Sequence, residues 1–143
     1  QTGIKDVDEV KKTYQEAGID AEVSAFFQDM ATLYANADLV VSRAGATTLS
    51  ELAVLGKPAI LIPYPTAADN HQQKNAEHYA GDGGAIILVE KETNSQELAA
   101  HMVEIVKDSE KRTRMGQAMK KLGIPQAAEQ IIEACLSLLP SKE

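Results

Sequence analysis

Two hydrophobic periods alternate along this chain as far as Val89. Short runs of β-branched and small apolar residues, at 21–26, 39–42, 59–62 and 85–89, are separated by stretches whose apolar residues recur every three or four positions. Runs that are apolar throughout suit strands buried on both faces, and the longer period suits helices that bury one stripe. A chain that returns to a strand after each helix builds a parallel sheet covered by helices. The expectation is therefore an α/β fold with about four parallel strands and helices on both faces.

The helix signals are specific. Val7, Val10, Tyr14 and Ala17 keep helical spacing behind Asp6, a plausible N-cap, and stop at Gly18. Further helices are expected at 30–36, at 47–55 closed by Gly56-Lys57-Pro58, and at 71–79 closed by Gly81-Asp82-Gly83-Gly84. After Val89 the pattern is helical only, at 95–106, 109–122 and 126–139. No linker, repeat or low-complexity segment divides the 143 residues, so residues 1–143 read as one domain. Four strands are few for a doubly wound, Rossmann-like sheet. With a start at Gln1 rather than Met, this suggests that an opening strand, loop and helix lie upstream.

Charge and cysteine content narrow the partners. With 14 Lys+Arg against 21 Asp+Glu the net charge is -7, which disfavours unspecific binding to nucleic acid. No apolar run approaches the roughly 20 residues of a membrane helix, and no leader pattern opens the chain. The single Cys135 cannot form an intrachain disulfide, and its place in an apolar helical pattern predicts a buried, inert thiol in the cytoplasm.

In open parallel sheets, ligands sit at the carboxyl ends of the strands. The run at 39–42 leads into Arg43-Ala44-Gly45-Ala46-Thr47-Thr48, where small residues bring backbone N–H groups to a helix start and hydroxyls stand ready beside them. That is a diphosphate site in principle. Glu51, one turn further, can hold a ribose diol. A structural reading stands beside it: Thr47 or Thr48 caps the helix and Glu51 completes a capping box. The run at 59–62 leads through two prolines into Asp69, Asn70, His71, Gln72, Gln73 and Asn75, a cluster suited to sugar hydroxyls or, alternatively, the polar first turn of a helix. The run at 21–26 ends in Phe26-Phe27, followed by Met30, which could face a nucleobase or belong to the core. Glu90-Lys91-Glu92-Thr93, after the last run, reads as solvated loop. Dinucleotide, P-loop, nucleophile-elbow and zinc signatures are absent, so neither a cofactor nor a metal is expected.

The strings Ala37-Asp38-Leu39-Val40-Val41-Ser42-Arg43-Ala44-Gly45-Ala46-Thr47-Thr48-Leu49-Ser50-Glu51-Leu52-Ala53, Gly56-Lys57-Pro58-Ala59-Ile60-Leu61-Ile62-Pro63-Tyr64-Pro65 and Asp69-Asn70-His71-Gln72-Gln73-Lys74-Asn75-Ala76 strongly resemble the donor-binding half of the MurG family. These are peptidoglycan N-acetylglucosaminyltransferases of the GT-B class. The resemblance covers nearly the whole chain. It implies an inverting transfer from UDP-N-acetylglucosamine to a lipid-linked acceptor, in cell-wall synthesis and cell division, by a parent protein peripheral on the cytoplasmic membrane face. It further implies that Phe27, flanked by Phe26 and Met30, presents its backbone to uracil. Arg43 and Gly45-Ala46-Thr47-Thr48 would lie against the nucleotide and its diphosphate, and Glu51 would hold the ribose. Gln72 and Gln73 would approach the sugar hydroxyls, with Asn75 close by. The resemblance further implies a Gly-Gly-Ser phosphate loop just upstream of Gln1, absent from this sequence, and before it an N-terminal domain carrying the acceptor site, the membrane-docking surface and the general base. The chain alone is then expected to be inactive. Alternatives left open are the donor-binding subunit of a split GT-B enzyme, another UDP-sugar enzyme such as an epimerase, and an interaction module without a ligand.

Overall fold

The computed structural model describes residues 1–66 and 70–138. Asp69 of the expected polar cluster and Leu139 of the last expected helix lie outside the described residues. Tertiary contacts divide the chain into two compact units, Gln1–Leu33 and Tyr34–Glu143.

In the first unit, α1 (Val7–Glu16) begins at Asp6 as expected, although the Asp6 side chain makes no capping bond. Asp8 and Glu9 in its first turn complement the helix dipole instead. Gly18 follows in the left-handed region, φ 65°. Residues 21–26 do not form the expected strand. Their backbone meets only the chain start, where Thr2 and Gly3 donate to the carbonyls of Ser24 and Ala25, and Ser24 turns the chain by exchanging hydrogen bonds with Phe26. Two isolated bonds do not make a ladder, so among the described residues the sheet has three strands rather than four. α2 (Met30–Asn36) closes this unit and opens the next; the Asp29 side chain accepts from the Thr32 N–H in its first turn.

The second unit is a parallel sheet in the order β1-β2-β3, formed by Val40–Ser42, Ala59–Leu61 and Ala85–Ile87. Val40 pairs with Ala59, which in turn pairs with Ala85. β2 is central and all three of its residues are buried, as a strand covered on both faces requires. The edge strand β1 leaves Val41 38% exposed. α3 (Ala46–Leu55) joins β1 to β2, and α4 (His71–Gly81) joins β2 to β3. Then come α5 (Ser95–Lys107), α6 (Ser109–Leu122) and α7 (Ala127–Ser137). Ile60 of β2, Leu88, Ile105 of α5 and Met115 of α6 form a core cluster, with Leu39, Ile62, Ile86 and Leu98 packed around it.

Helices α3 and α6 approach unusually closely where α3 ends. Gly56 stops α3 in the left-handed conformation, φ 64°, and faces Gly116 of α6. A Cβ at Gly116 would sit 2.6 Å from the Gly56 carbonyl oxygen, so only glycine fits there. α5 and α6 are each capped by the residue before them, Asn94 and Asp108, whose side chains accept from Glu97 N and Lys111 N. α7 buries none of its residues: Ile131, Ile132 and Leu136 are each at least 58% exposed. Cys135 is exposed as well, contrary to the expectation of a buried thiol, because no surface among the described residues covers the apolar stripe of α7 enough to bury it. No helix among them is long and apolar enough to cross a membrane.

Candidate functional site

The carboxyl end of β1 turns directly into α3. The expected capping box is not formed: α3 starts one residue before Thr47, its N-cap is Gly45, and no side chain accepts a hydrogen bond at the cap. Thr47 and Thr48 therefore lie inside the first turn rather than at the boundary. The first intrahelical bond runs from Leu49 N to Gly45 O. The preceding amides, those of Ala46, Thr47 and Thr48, are the donors that every helix leaves without an intrahelical acceptor, and the dipole adds positive potential there. Thr47, Thr48 and Glu51 stand three and four residues apart on one helical face, and Glu51 is exposed.

The turn is held by its neighbours. Asn75 of α4 donates through Nδ2 to the carbonyl of Ala44, 3.2 Å away, and Ala44 itself is fully buried. Asn75 thus acts on the backbone of the β1–α3 turn, which accounts for its place beside the glutamines.

Arg43 reaches sideways from β1 across the carboxyl ends of the other two strands. Its Nη1 donates to the carbonyls of Ile62 and Pro63, at 3.2 and 3.5 Å, and its Nη2 meets Glu90 Oε1 at 2.5 Å. The guanidinium lies 5.4 Å from the centre of the Tyr64 ring, within cation–π range. Glu90, read from sequence as solvated loop, is the anion of this strap. The Arg43 hydrogen bond holds its carboxyl below the usual glutamate value, against a small opposing effect of burial. The sequence signal that could have found it was position: Glu90 follows β3 as Arg43 follows β1.

Beyond the strap, Pro63, Tyr64, Asn70, Gln73, Glu90 and Lys91 line most of a cavity of about 250 Å³. Gln72 Oε1 accepts from Tyr64 N at 2.9 Å and so shapes the loop, while Gln73 donates to Glu77 and also borders the cavity. Asn70 occupies the N-cap position of α4 in the left-handed conformation, φ 56°, and makes no side-chain capping bond. His71 opens α4 and is exposed. The structure therefore brings Arg43, Gly45, Ala46, Thr47, Thr48, Glu51, Gln72, Gln73 and Asn75 together in the second unit, at the carboxyl ends of β1 and β2 or on the helices that follow them.

Phe26, Phe27 and Met30 belong to the first unit. Phe26 is 68% exposed, so it is not a core residue, while Phe27 and Met30 are partly covered. The Phe27 N–H donates to the Gln1 side-chain oxygen at 3.1 Å. The sequence also holds one Asp-x-Asp pair, Asp6 and Asp8, although none is expected from the sequence reading. Both are exposed at the start of α1, and no group of three or more His, Cys, Asp or Glu among the described residues could hold a metal ion.

Comparison with known proteins identifies the family to which this fold belongs. A UDP-N-acetylglucosamine–N-acetylmuramyl-(pentapeptide) pyrophosphoryl-undecaprenol N-acetylglucosamine transferase from Desulfotalea psychrophila is 49% identical over 143 residues, 100% of this chain and 39% of that protein. The protein of the same name from Anaeromyxobacter sp. (strain Fw109-5) is 47% identical over 139 residues, 97% of the chain and 36% of its own length. The chain thus spans well under half the length of these curated relatives. In three dimensions it is similar to the crystal structure of Acinetobacter baumannii MurG, with a TM-score of 0.86 at 28% identity, covering 96% of this chain and 42% of that one. The glycotransferase of kitacinnamycin shares the fold, with a TM-score of 0.60 at 23% identity over 79% of this chain and 29% of that one. Residues 1–131 match the glycosyltransferase family 28 C-terminal domain, and with so much of its length accounted for the chain belongs to that family.

Proposed function

We propose that this chain is the donor-binding part of an N-acetylglucosaminyltransferase that takes UDP-N-acetylglucosamine and acts in peptidoglycan synthesis. The observation that carries the reading is the start of α3: a helix N-terminus with a glycine cap and no side-chain acceptor, placed at a strand's carboxyl end, with Glu51 one turn in. The names of the similar proteins, which begin with UDP-N-acetylglucosamine, support this donor. The diphosphate would take the amides of Ala46, Thr47 and Thr48 and the two hydroxyls. Glu51 would accept from the ribose hydroxyls, and the N-acetylglucosamine would lie toward Gln72 and Gln73. Phe27, with Phe26 and Met30 beside it, would receive uracil.

In such a transfer the acceptor oxygen attacks the anomeric carbon, the bond to the UDP oxygen breaks, and the hydroxyl proton passes to a base. This chain would stabilise the charge that develops on departing UDP, through the uncapped helix start. The base, the lipid-linked acceptor and the membrane-facing surface would belong to a part of the protein beyond these residues, on the cytoplasmic side. No resident cofactor is called for, because helix dipole and hydroxyls answer the diphosphate. The test is a titration of this chain with UDP and UDP-N-acetylglucosamine followed by amide chemical shifts. Saturable shifts at Thr48, Glu51 and Gln72 that are lost in Glu51→Ala are expected; binding indifferent to Glu51→Ala would overturn the reading.

A further inference from the structure

The amino ends of the strands carry a hollow of their own. Between the start of β1, the end of α3 and the flank of α6 lies a basin of about 460 Å³ bordered by Asp38, Lys57, Ser109, Arg112, Gln117 and Lys120. Three cations face one carboxylate there, in a chain whose acidic residues outnumber its basic ones by 21 to 14.

Two of these cations are fixed in place. Lys57 Nζ donates to the carbonyls of Ala35 and Ala37, at 2.7 and 3.1 Å, at the end of α2. Arg112 Nη1 donates to the carbonyls of Ile105 and Val106 near the end of α5. Capping explains why the side chains are held, yet it does not exhaust them. An ammonium has three N–H groups and a guanidinium five. Lys57 keeps one donor, and Arg112 Nη2 makes no hydrogen bond among the described residues. Asp38 approaches Arg112 Nε only to 4.0 Å and is 80% exposed, so it neutralises the basin weakly. The Lys120 ammonium makes no hydrogen bond or ion pair among the described residues, and its stem lies against Gly56, whose added Cβ would sit 3.3 Å from the Lys120 Cβ. The glycine contact between α3 and α6 thus sets the floor, and preorganised cations stand on its walls.

We propose that this basin binds a small organic phosphate, its phosphate held by Lys57, Arg112 and Lys120 and its organic part by Ser109 and Gln117. The volume leaves room beside the phosphate for an organic part, since it falls in the roughly 300–1,000 Å³ range of small-molecule pockets. The basin is separate from the donor site, at the opposite ends of the same strands, so a ligand here could coexist with one there.

The experiment is an amide chemical-shift titration of this chain with inorganic phosphate and, separately, with glucose 1-phosphate. Saturable shifts are expected at Ser109, Gln117 and Gly56, with glucose 1-phosphate binding more tightly than phosphate. Lys120→Gln should weaken that binding about fivefold or more, and Gln117→Leu should lower the preference for the sugar phosphate. Arg114→Gln, one turn away on α6 and outside the basin, should leave both unchanged; spectra of the free variants report whether each is folded. Shifts confined to residues 45–51, equal losses in Lys120→Gln and Arg114→Gln, or no gain from the sugar would each overturn the proposal.

Discussion

The two ends of the sheet solve the same problem differently. At the amino ends, helix termini are satisfied from within: Lys57 and Arg112 donate to the carbonyls that end α2 and α5, and Asp108 caps α6. At the carboxyl ends, α3 and α4 begin at Gly45 and Asn70 with no side-chain cap at either. Helix starts without side-chain acceptors cost stability, since a good cap is worth about 1 kcal/mol. Helices α1 and α7 also start without a side-chain cap, at Asp6 and Gln126, so what sets α3 and α4 apart is that both starts lie at the carboxyl end of one sheet. The lesson is that a site can be recognised by local rules left unfulfilled, as well as by the residues it contains.

The contrast can be broken most forcefully at the strand both ends share. Ile60→Ala removes a fully buried side chain from the cluster with Leu88, Ile105 and Met115, and should destabilise the chain by about 2–5 kcal/mol in denaturant unfolding, lowering occupancy at both ends together. Glu51→Ala separates the ends: UDP-N-acetylglucosamine affinity should fall by roughly tenfold or more, the loss expected for charged hydrogen bonds, while the melting temperature stays put. Gly116→Ala does the reverse. Its methyl would meet the Gly56 carbonyl, costing about 1–3 kcal/mol on unfolding without a matching loss of donor affinity in the folded protein.

The smallest effect concerns Glu90. Its carboxyl is held below 4.5 by Arg43, so the stabilisation is complete above that value and is lost as the pH falls through the lowered folded-state range. Glu90→Gln should therefore remove part of the acid-side slope of melting temperature against pH and leave the profile near neutrality nearly flat. A variant whose acid slope matches the parent would detach Glu90 from the strap.

Much of this was legible from residue pattern. Apolar runs around Ile60 and Ile86 announced buried parallel strands, and Gly56 and Gly18 marked helix ends through their left-handed conformations. The segment 21–26 misled because strand-like composition does not supply a partner, and its backbone found only the first few residues of the chain. Cys135 misled because an apolar stripe shows what a helix can bury, whereas burial also needs a surface to receive it. At the site, Thr47, Thr48, Glu51 and the glutamines stood out by type and spacing. Glu90 did not, because its meaning comes from Arg43, 47 residues earlier, and only the parallel order of the strands brings the two together.

The burial of β2 has a consequence in time. A central strand paired on both sides exchanges its amide hydrogens slowly, through openings that approach global unfolding. Ala59, Ile60 and Leu61 should be among the last amides of this chain to take up deuterium. The register of the strand beneath the proposed donor site would then outlast many local openings at the surface of the chain.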